Sequence, residues 1–377
     1  MQKNQDAIKK KIRFMLQKNQ KSSILKVSKT IEKVMGVMYT ASLKTIAEKC
    51  GVSVATVSKA LNDQKDIGKE TKKRIKEVAD ELGYFPNAAA RELKTNRSYN
   101  IGVLYEEDAG RGFQHEYFSG VLNGFKSEAE KLGFDITFIN SSLKKRKRTY
   151  YEQCRYRNFD GVAIVCATFD NPDVCELMNS DIPTVTVDYV HHNCTAVKSD
   201  NVGEMSKLVQ YIYEKGHRKI AYIHGQKISP VTGERVASFY RQMYSFGIDV
   251  PDEYVRTGEY LEIGQSAKQT KYLLDLPEPP TCILYPDDTS LIGGLNVILQ
   301  RGLSIPNDIS IAGFDGARMS QLLHPRLTTI KQNSELIGKE LAKHLIEAIE
   351  NPKTTLVERV VIGGELIEGE SVGKIGN

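Results

Sequence analysis

No stretch of this 377-residue chain approaches the ~20 consecutive apolar residues that a membrane-spanning helix needs, so a helical membrane protein is not expected. The six cysteines (Cys50, Cys154, Cys166, Cys175, Cys194, Cys282) form no CxxC pair and no disulfide-framework spacing. Reduced thiols in a cytosol are the simpler reading. The first residues, MQKNQDAIKKKIRFMLQKNQ, are basic but lack the uninterrupted apolar core of an export signal, and a cytoplasmic protein is expected. There is no Gly-rich phosphate loop, GxSxG elbow or HExxH pair, so no enzyme class is signalled. His191, His192 and Cys194 resemble metal ligands, but no second Cys/His cluster completes a site. Surface-loop chemistry explains them better, and neither metal nor cofactor is expected.

What is present is an ordinary globular composition, 40% hydrophobic and 26% charged. The length suits two or three domains. Net charge is +5, unevenly spread: residues 1–99 hold 22 Lys+Arg and 10 Asp+Glu, a net of +12, which leaves −7 for the rest. A basic end on an acidic body suggests that the end meets a polyanion. Of that +12, +8 lies in residues 1–41, a Lys-, Gln- and Ser-rich leader with weak periodicity. It reads as a disordered leader without a role, as upstream of a true start at Met35 or Met38, or as a flexible basic arm, the first two being favoured.

The most informative stretch is LKTIAEKCGVSVATVSKALN, Leu43 to Asn62. Ile46, Ala47 and Cys50 mark one apolar face of a first helix. Gly51 can end that helix with a positive φ, and Ser53 can cap a second. Val54, Val57, Ala60 and Leu61 repeat at helical spacing in the second, and the small Ala47 allows a close crossing near Val57. This is the spacing of a helix-turn-helix. It leaves Ala55, Thr56, Ser58, Lys59 and Asn62 outward, short polar groups and one cation that suit base edges and phosphates. The bland alternative is a helical hairpin with a solvated face. After the loop DQKDIGKE, residues Ile75, Val78, Ala79 and Leu82 predict a third helix, ended by Gly83. Pro86 then interrupts, and Asn87 can cap a short helix from Ala88 to Lys94 that is too short to stand alone. A conditional helix between headpiece and body suits a switchable linker.

From Ile101 apolar runs alternate with helical patterns. Candidate strands are 101–105, 134–140, 161–167, 183–188, 219–225, 281–286 and 309–315. The alternation predicts an α/β body of parallel sheets covered by helices, with ligands beyond the carboxyl ends of strands. The length allows two such lobes facing a cleft. Lys144 to Arg148 (KKRKR) reads as a solvated loop on that body.

Taken in order, TIAEKCGVSVATVSKALN, LGYFPNAAARELKTNRSYNIGVL, GHRKIAYIHG, GLSIPNDISIAGFD and LTTIKQ resemble the LacI/GalR family of bacterial transcription regulators over residues 43–367. Downstream of the basic leader at 1–41, the resemblance implies a headpiece at 42–84, a hinge at 85–98 and a two-lobed, periplasmic-binding-protein-like body at 99–377. It implies a homodimer whose headpieces enter major grooves of a palindromic double-stranded DNA operator, with the hinge helices in the minor groove. A small effector, a sugar or derivative, would sit between the lobes.

Carried over by position, the resemblance puts base-reading roles on Val54, Ala55 and Lys59, and phosphate contacts on Ser53, Thr56, Ser58 and Asn62. Val54 and Ala55 offer only apolar contact, for instance to a thymine methyl, whereas Lys59 can donate to guanine or to a phosphate. Leu93 matches a leucine that wedges between base pairs and kinks the duplex, and Lys94 follows it. Ala89 stands where relatives often carry a hinge-packing valine. Asp188, Arg235 and Asp315 match polar cleft positions. Asp287 departs from the usual Asn-Asp pair, since a carboxylate cannot donate as an amide does. Acids around one arginine suit a neutral polyol, whose hydroxyls donate to carboxylates. For Asp188 and Asp287 a strand-end cap is the competing reading. Two functional classes result: an effector-controlled DNA-binding regulator that is not an enzyme, and a sugar-binding protein or enzyme on the same body. The headpiece and hinge favour the first.

Overall fold

The computed structural model describes residues 42–85, 92, 95, 97–106, 114–139, 148–227 and 229–375. The expectations for the leader, for Ala88, Ala89, Leu93 and Lys94 of the hinge and for Lys144–Lys147 lie outside the described residues. Two compact units divide the chain, residues 1–96 and 97–377.

The first unit holds three helices, α1 (Leu43–Cys50), α2 (Val54–Leu61) and α3 (Lys69–Glu81). The turn between α1 and α2 follows local chemistry. Gly51 adopts φ 65° and its N–H reaches back to the carbonyls of Ala47 and Glu48. Ser53 is extended, and its side chain accepts from the Thr56 N–H at 3.1 Å. Ile46, Ala47, Cys50, Val57, Ala60, Ile75 and Ala79 make one small core where the three apolar faces meet. Val78 and Leu82, expected on that face of α3, are only partly buried against it.

The second unit contains two six-stranded sheets. Its elements, in chain order, are β1 (Asn100–Tyr105), α4 (Glu116–Lys131), β2 (Asp135–Phe138), α5 (Tyr150–Arg157), β3 (Gly161–Cys166), α6 (Pro172–Met178), β4 (Thr184–Val187), β5 (Thr195–Ser199), α7 (Asn201–Glu214), β6 (Ile220–His224), α8 (Pro230–Ser245), β7 (Val255–Thr257), α9 (Ile263–Leu274), β8 (Cys282–Leu284), α10 (Asp288–Gln300), β9 (Ser310–Asp315), β10 (Thr328–Lys331), α11 (Ser334–Glu350), β11 (Arg359–Ile362) and β12 (Glu365–Ile367). The first sheet runs β11-β5-β4-β3-β1-β2 and is parallel throughout. The second runs β12-β10-β9-β8-β6-β7 and is parallel except for the antiparallel edge strand β12.

The inner strands of each sheet are buried on both faces, which is why they read as continuous apolar runs. Ala163 and Val165 pack against α4 and α11, while Val162 and Ile164 pack against α5 and α6. In the second sheet Ile220 and Tyr222 enter one core, Ala221 and Ile223 the other. Helices α4 and α11 approach so closely that a β-carbon at Gly124 would overlap the Glu335 carbonyl, and one at Gly338 the Val121 carbonyl. Each of the seven candidate strands overlaps an observed strand: β1 begins one residue earlier than expected, at Asn100, and the other six are trimmed at one or both ends. Five more, β5, β7, β10, β11 and β12, were not foreseen; two of these are three residues long, too short for an alternating pattern to register.

The chain passes between the sheets at three places: Ser199–Asn201, Lys331–Ser334 and Ile362–Glu365. The carboxyl ends of strands in both sheets thus face a shared cleft within this unit.

Candidate functional site

Among the described residues of the first unit, the outer face of α2 has the chemistry expected of a DNA-facing surface. Ser53, Val54, Ala55, Lys59 and Asn62 are exposed there, and Val54 keeps 44% of its surface in solvent despite its apolar side chain. Thr56 and Ser58 are half-buried. Several of these groups already have partners. Ser53 Oγ serves as the cap and also pairs with Thr56 Oγ1 at 2.9 Å. Asn62 Nδ2 donates to the Ser58 carbonyl at 2.7 Å. Lys59 Nζ donates to Asp66 Oδ2 at 2.5 Å, a contact that sequence reasoning did not foresee.

In the body, the cleft is built from strand ends and from the three crossings. Asp188 follows β4 with φ 54°, and Asp315 ends β9 with φ 90°. Both are non-glycine residues in backbone conformations that cost energy, a kind of strain that concentrates at functional sites. Hydrogen bonds hold each in place. Asp188 Oδ1 accepts from the Ser199 N–H at 2.9 Å, and its Oδ2 accepts from the Tyr117 hydroxyl at 2.5 Å. Asp315 Oδ1 accepts from Gln332 Nε2 at 2.5 Å, and the side-chain oxygen Oε1 of Gln332 accepts from Ser199 Oγ. A continuous polar chain, Tyr117–Asp188–Ser199–Gln332–Asp315, therefore joins the strand ends of both sheets through two crossings.

Arg235 is buried on α8. Its Nε donates to Asn201 Oδ1 at 2.9 Å and its Nη1 to the Pro286 carbonyl at 3.2 Å. The guanidinium lies 3.6 Å over the Phe314 ring, one residue before Asp315. Burial works against its charge, but Tyr260, Asp315, Tyr222 and Glu204 together offset that and raise its pKa. Asp287 caps α10: Oδ1 accepts from the Ser290 N–H at 2.7 Å, and Oδ2 from the Leu261 N–H at 2.9 Å and Ser290 Oγ at 2.7 Å. Both its oxygens are engaged and it is 1% exposed, so its geometry is that of the strand-end cap.

A cavity of about 560 Å³ opens here, with Glu116, Tyr117, Asp288, Asp315, Lys331 and Gln332 on its wall. Of the four expected cleft residues only Asp315 lines it; Asp188, Arg235 and Asp287 are held by the bonds just described. Across it Glu116 of α4 accepts from the Arg318 N–H with both oxygens, at 3.1 Å each. Lys198 of β5 pairs with Glu234 of α8. Burial raises the pKa of Asp188, Asp287, Asp288 and Asp315, and the Arg235 charge partly restrains Asp188 and Asp315. Burial raises Tyr117 too, so its hydroxyl stays a proton donor. The wall carries the carboxyl groups of Glu116, Asp288 and Asp315, whose oxygens a ligand with several hydroxyls can meet.

Tyr117, Ser199, Asn201, Gln332 and Phe314 were not foreseen as site residues. Only Gln332 and Phe314 lay in quoted motifs; Tyr117 and Ser199 meet across a separation that leaves no local pattern. Of the apparent metal cluster, Cys194 is buried and its thiol is pushed up to about 12 by burial. Among the described residues no group of three or more His, Cys, Asp or Glu is placed to hold a metal ion.

Comparison with known proteins agrees with this geometry. Residues 42–87 match the family described as bacterial regulatory proteins, lacI family, and residues 209–372 match the periplasmic binding protein-like domain. The chain is 30% identical over 338 residues to the probable HTH-type transcriptional repressor ExuR of Bacillus subtilis (strain 168), covering 89% of this chain and 99% of that protein. It is 29% identical over 316 residues to the HTH-type transcriptional repressor PurR of Vibrio vulnificus (strain CMCP6), covering 82% and 92%. Among solved structures, the Lac repressor dimer bound to operator and the anti-inducer ONPF superposes with a TM-score of 0.72 at 23% identity, over 88% of this chain and 99% of that one. The CelR–cellobiose complex superposes with a TM-score of 0.64 at 23% identity, over 88% and 99%.

Proposed function

The chain belongs to the lacI family of bacterial regulatory proteins, and from that premise we propose that it represses transcription as a homodimer on a palindromic operator, under control of a small effector held between its lobes. The observation that carries this reading is the presence in one chain of an exposed helix-turn-helix face and an acceptor-rich cleft between two sheets.

On DNA, Lys59 reads a base or a phosphate, and Val54 and Ala55 make apolar contact in the major groove. Ser53, Thr56, Ser58 and Asn62 meet phosphates, with Ser53 and Asn62 also serving the helix ends. Leu93 enters the minor groove as a wedge beside Lys94. In the body, the effector is a sugar or sugar derivative whose hydroxyls donate to Asp315 and neighbouring acceptors on the cavity wall. Arg235 orients Asp315 from beneath through Phe314, and Asp188 and Asp287 hold the strand ends. Such a ligand touches both lobes and favours one lobe arrangement, and that difference in affinity shifts the DNA-binding state. A regulator of this kind works in the cytoplasm. Among the described residues no helix is long and apolar enough to cross a membrane.

The test is a gel shift with palindromic duplexes enriched by the full chain from a randomised pool. The expected result is specific binding, two chains per duplex, with affinity falling steeply as salt rises because lysines displace counterions. Equal affinity for scrambled duplex, or a flat salt dependence, would point instead to a sugar-binding protein on the same body.

A further inference from the structure

The only cation on α2 does not project freely into solvent. Lys59 Nζ donates to Asp66 Oδ2 at 2.5 Å, with the two side chains about half exposed (47% and 51%). Asp66 is not a floating surface charge. It sits in a loop tied down at several points: the Gln64 N–H donates to the Lys59 carbonyl at 3.0 Å, and the Ile67 side chain packs against the small core. Lys72 Nζ donates to the Asp63 carbonyl, and Lys76 Nζ to both Asp63 carboxylate oxygens, each at 2.9 Å. The loop thus presents a fixed carboxylate to Lys59. The hydrogen bond from Lys59 in turn lowers the pKa of Asp66, so the carboxylate is charged at neutral pH. Exposed pairs of this kind contribute little to stability.

A lysine near a duplex is drawn to phosphates whatever the sequence, and that attraction supplies most non-specific affinity. Reading guanine instead requires the amine to sit in the groove at O6 or N7. A carboxylate bonded to the amine cancels the charge that phosphates would feel. The amine is then given up only where a base edge offers acceptors to replace the carboxylate.

We infer that Asp66 is a specificity-determining residue that acts through Lys59, holding its amine back from the phosphate backbone so that operator and non-operator DNA are told apart. This rests on the reading of α2 as the DNA-facing helix. Asp66 is a positioning residue, since it works through the lysine.

The experiment measures binding of the full chain to two probes over a range of salt concentrations: the palindromic duplex enriched by the wild type, and a base-scrambled duplex of equal length. Asp66→Asn is expected to tighten binding to the scrambled duplex several-fold and to lower the operator-to-scrambled ratio by a similar factor. It should also steepen the salt dependence on scrambled DNA by about 0.9 in log K against log salt, the slope of one added phosphate contact. Asp66→Glu, which keeps the charge, should restore the ratio. In a Lys59→Ala background Asp66→Asn should leave the slope unchanged. The same slope change with and without Lys59 would overturn the inference, because Asp66 would then act as a general surface charge. So would an unchanged ratio in Asp66→Asn. A wild-type chain that enriches no duplex at all would remove the DNA-facing reading itself, which is a different result from a discriminating wild type with an indifferent variant.

Discussion

Replacing Glu204 by glutamine should stabilise the body at alkaline pH and change little at acid pH. Glu204 lies in the first turn of α7, next to the crossing that joins the two sheets, and it is fully buried. A β-carbon at Gly364, in a second crossing, would come within 2.6 Å of its carboxylate and within 2.6 Å of the Lys331 carbonyl, so the group is wedged between crossings. Neither carboxylate oxygen has an ordinary hydrogen-bond partner among the described residues; the Gly364 backbone lowers its pKa without making a bond of normal geometry. Burial pushes the carboxyl up from 4.5 to about 7, and the Arg235 charge only partly opposes that. Between those two values the folded chain keeps a proton that the unfolded chain has lost. Stability from this group therefore falls as pH rises from 4.5 to 7, and the full penalty is present above 7. It is on the order of 3 kcal/mol. Glutamine carries no charge at any pH and nearly the same shape. Urea unfolding of the body at acid and alkaline pH should show Glu204→Gln nearly equal to wild type near pH 4.5 and more stable by up to about 3 kcal/mol near pH 8. A difference of the same size at both pH values, or a less stable variant at pH 8, would refute the reasoning.

Other substitutions probe the remaining parts. Asp315→Ala should leave operator binding in place while weakening effector affinity by about 1–3 kcal/mol through an unpaired polar partner, and Arg235→Ala should weaken it through loss of the group that orients Asp315; normal effector response in both variants would remove these residues from the switch. Ser53→Ala should destabilise the headpiece by about 1 kcal/mol, seen as faster amide exchange across residues 54–61, and unchanged exchange would contradict the cap. Lys59→Ala should relax preference at one operator position by about 1–3 kcal/mol if the amine reads a base, and weaken all duplexes alike if it meets a phosphate. A chain beginning at Met38 should keep operator specificity and lose only salt-sensitive affinity; a large loss of specificity would give residues 1–37 a role.

The parts legible in the sequence are those with local causes. Ser53 and Gly51 announce the turn between α1 and α2 because capping and left-handed backbone depend on a few neighbouring atoms. The long buried strands announce themselves because both their faces are apolar. The edge strands β7 and β12, three residues each, carry too few positions for any period. The cleft wall was legible only at Asp315, where motif and strand end coincide; Arg235 lies off the wall, bonded to Asn201 and the Pro286 carbonyl. Tyr117, Ser199 and Gln332 come together through the fold: the Ser199–Gln332 bond closes a separation of 133 residues. Asp287 shows why residue type alone misleads, since the same carboxylate serves a ligand or a helix end, and here its oxygens are spent on the start of α10. Asp66 likewise has no mark in the sequence that separates it from a solvated acid; only the folded loop brings it to Lys59.

The most direct measurement is operator affinity of the full chain, on a palindrome enriched from a random pool, with and without a sugar that raises the melting temperature of the body. The expected result is tight binding by two chains per duplex, changed markedly by the sugar in the wild type and unchanged by it in Asp315→Ala. A sugar that binds the body yet leaves operator affinity the same in the wild type would contradict the coupling between cleft and DNA.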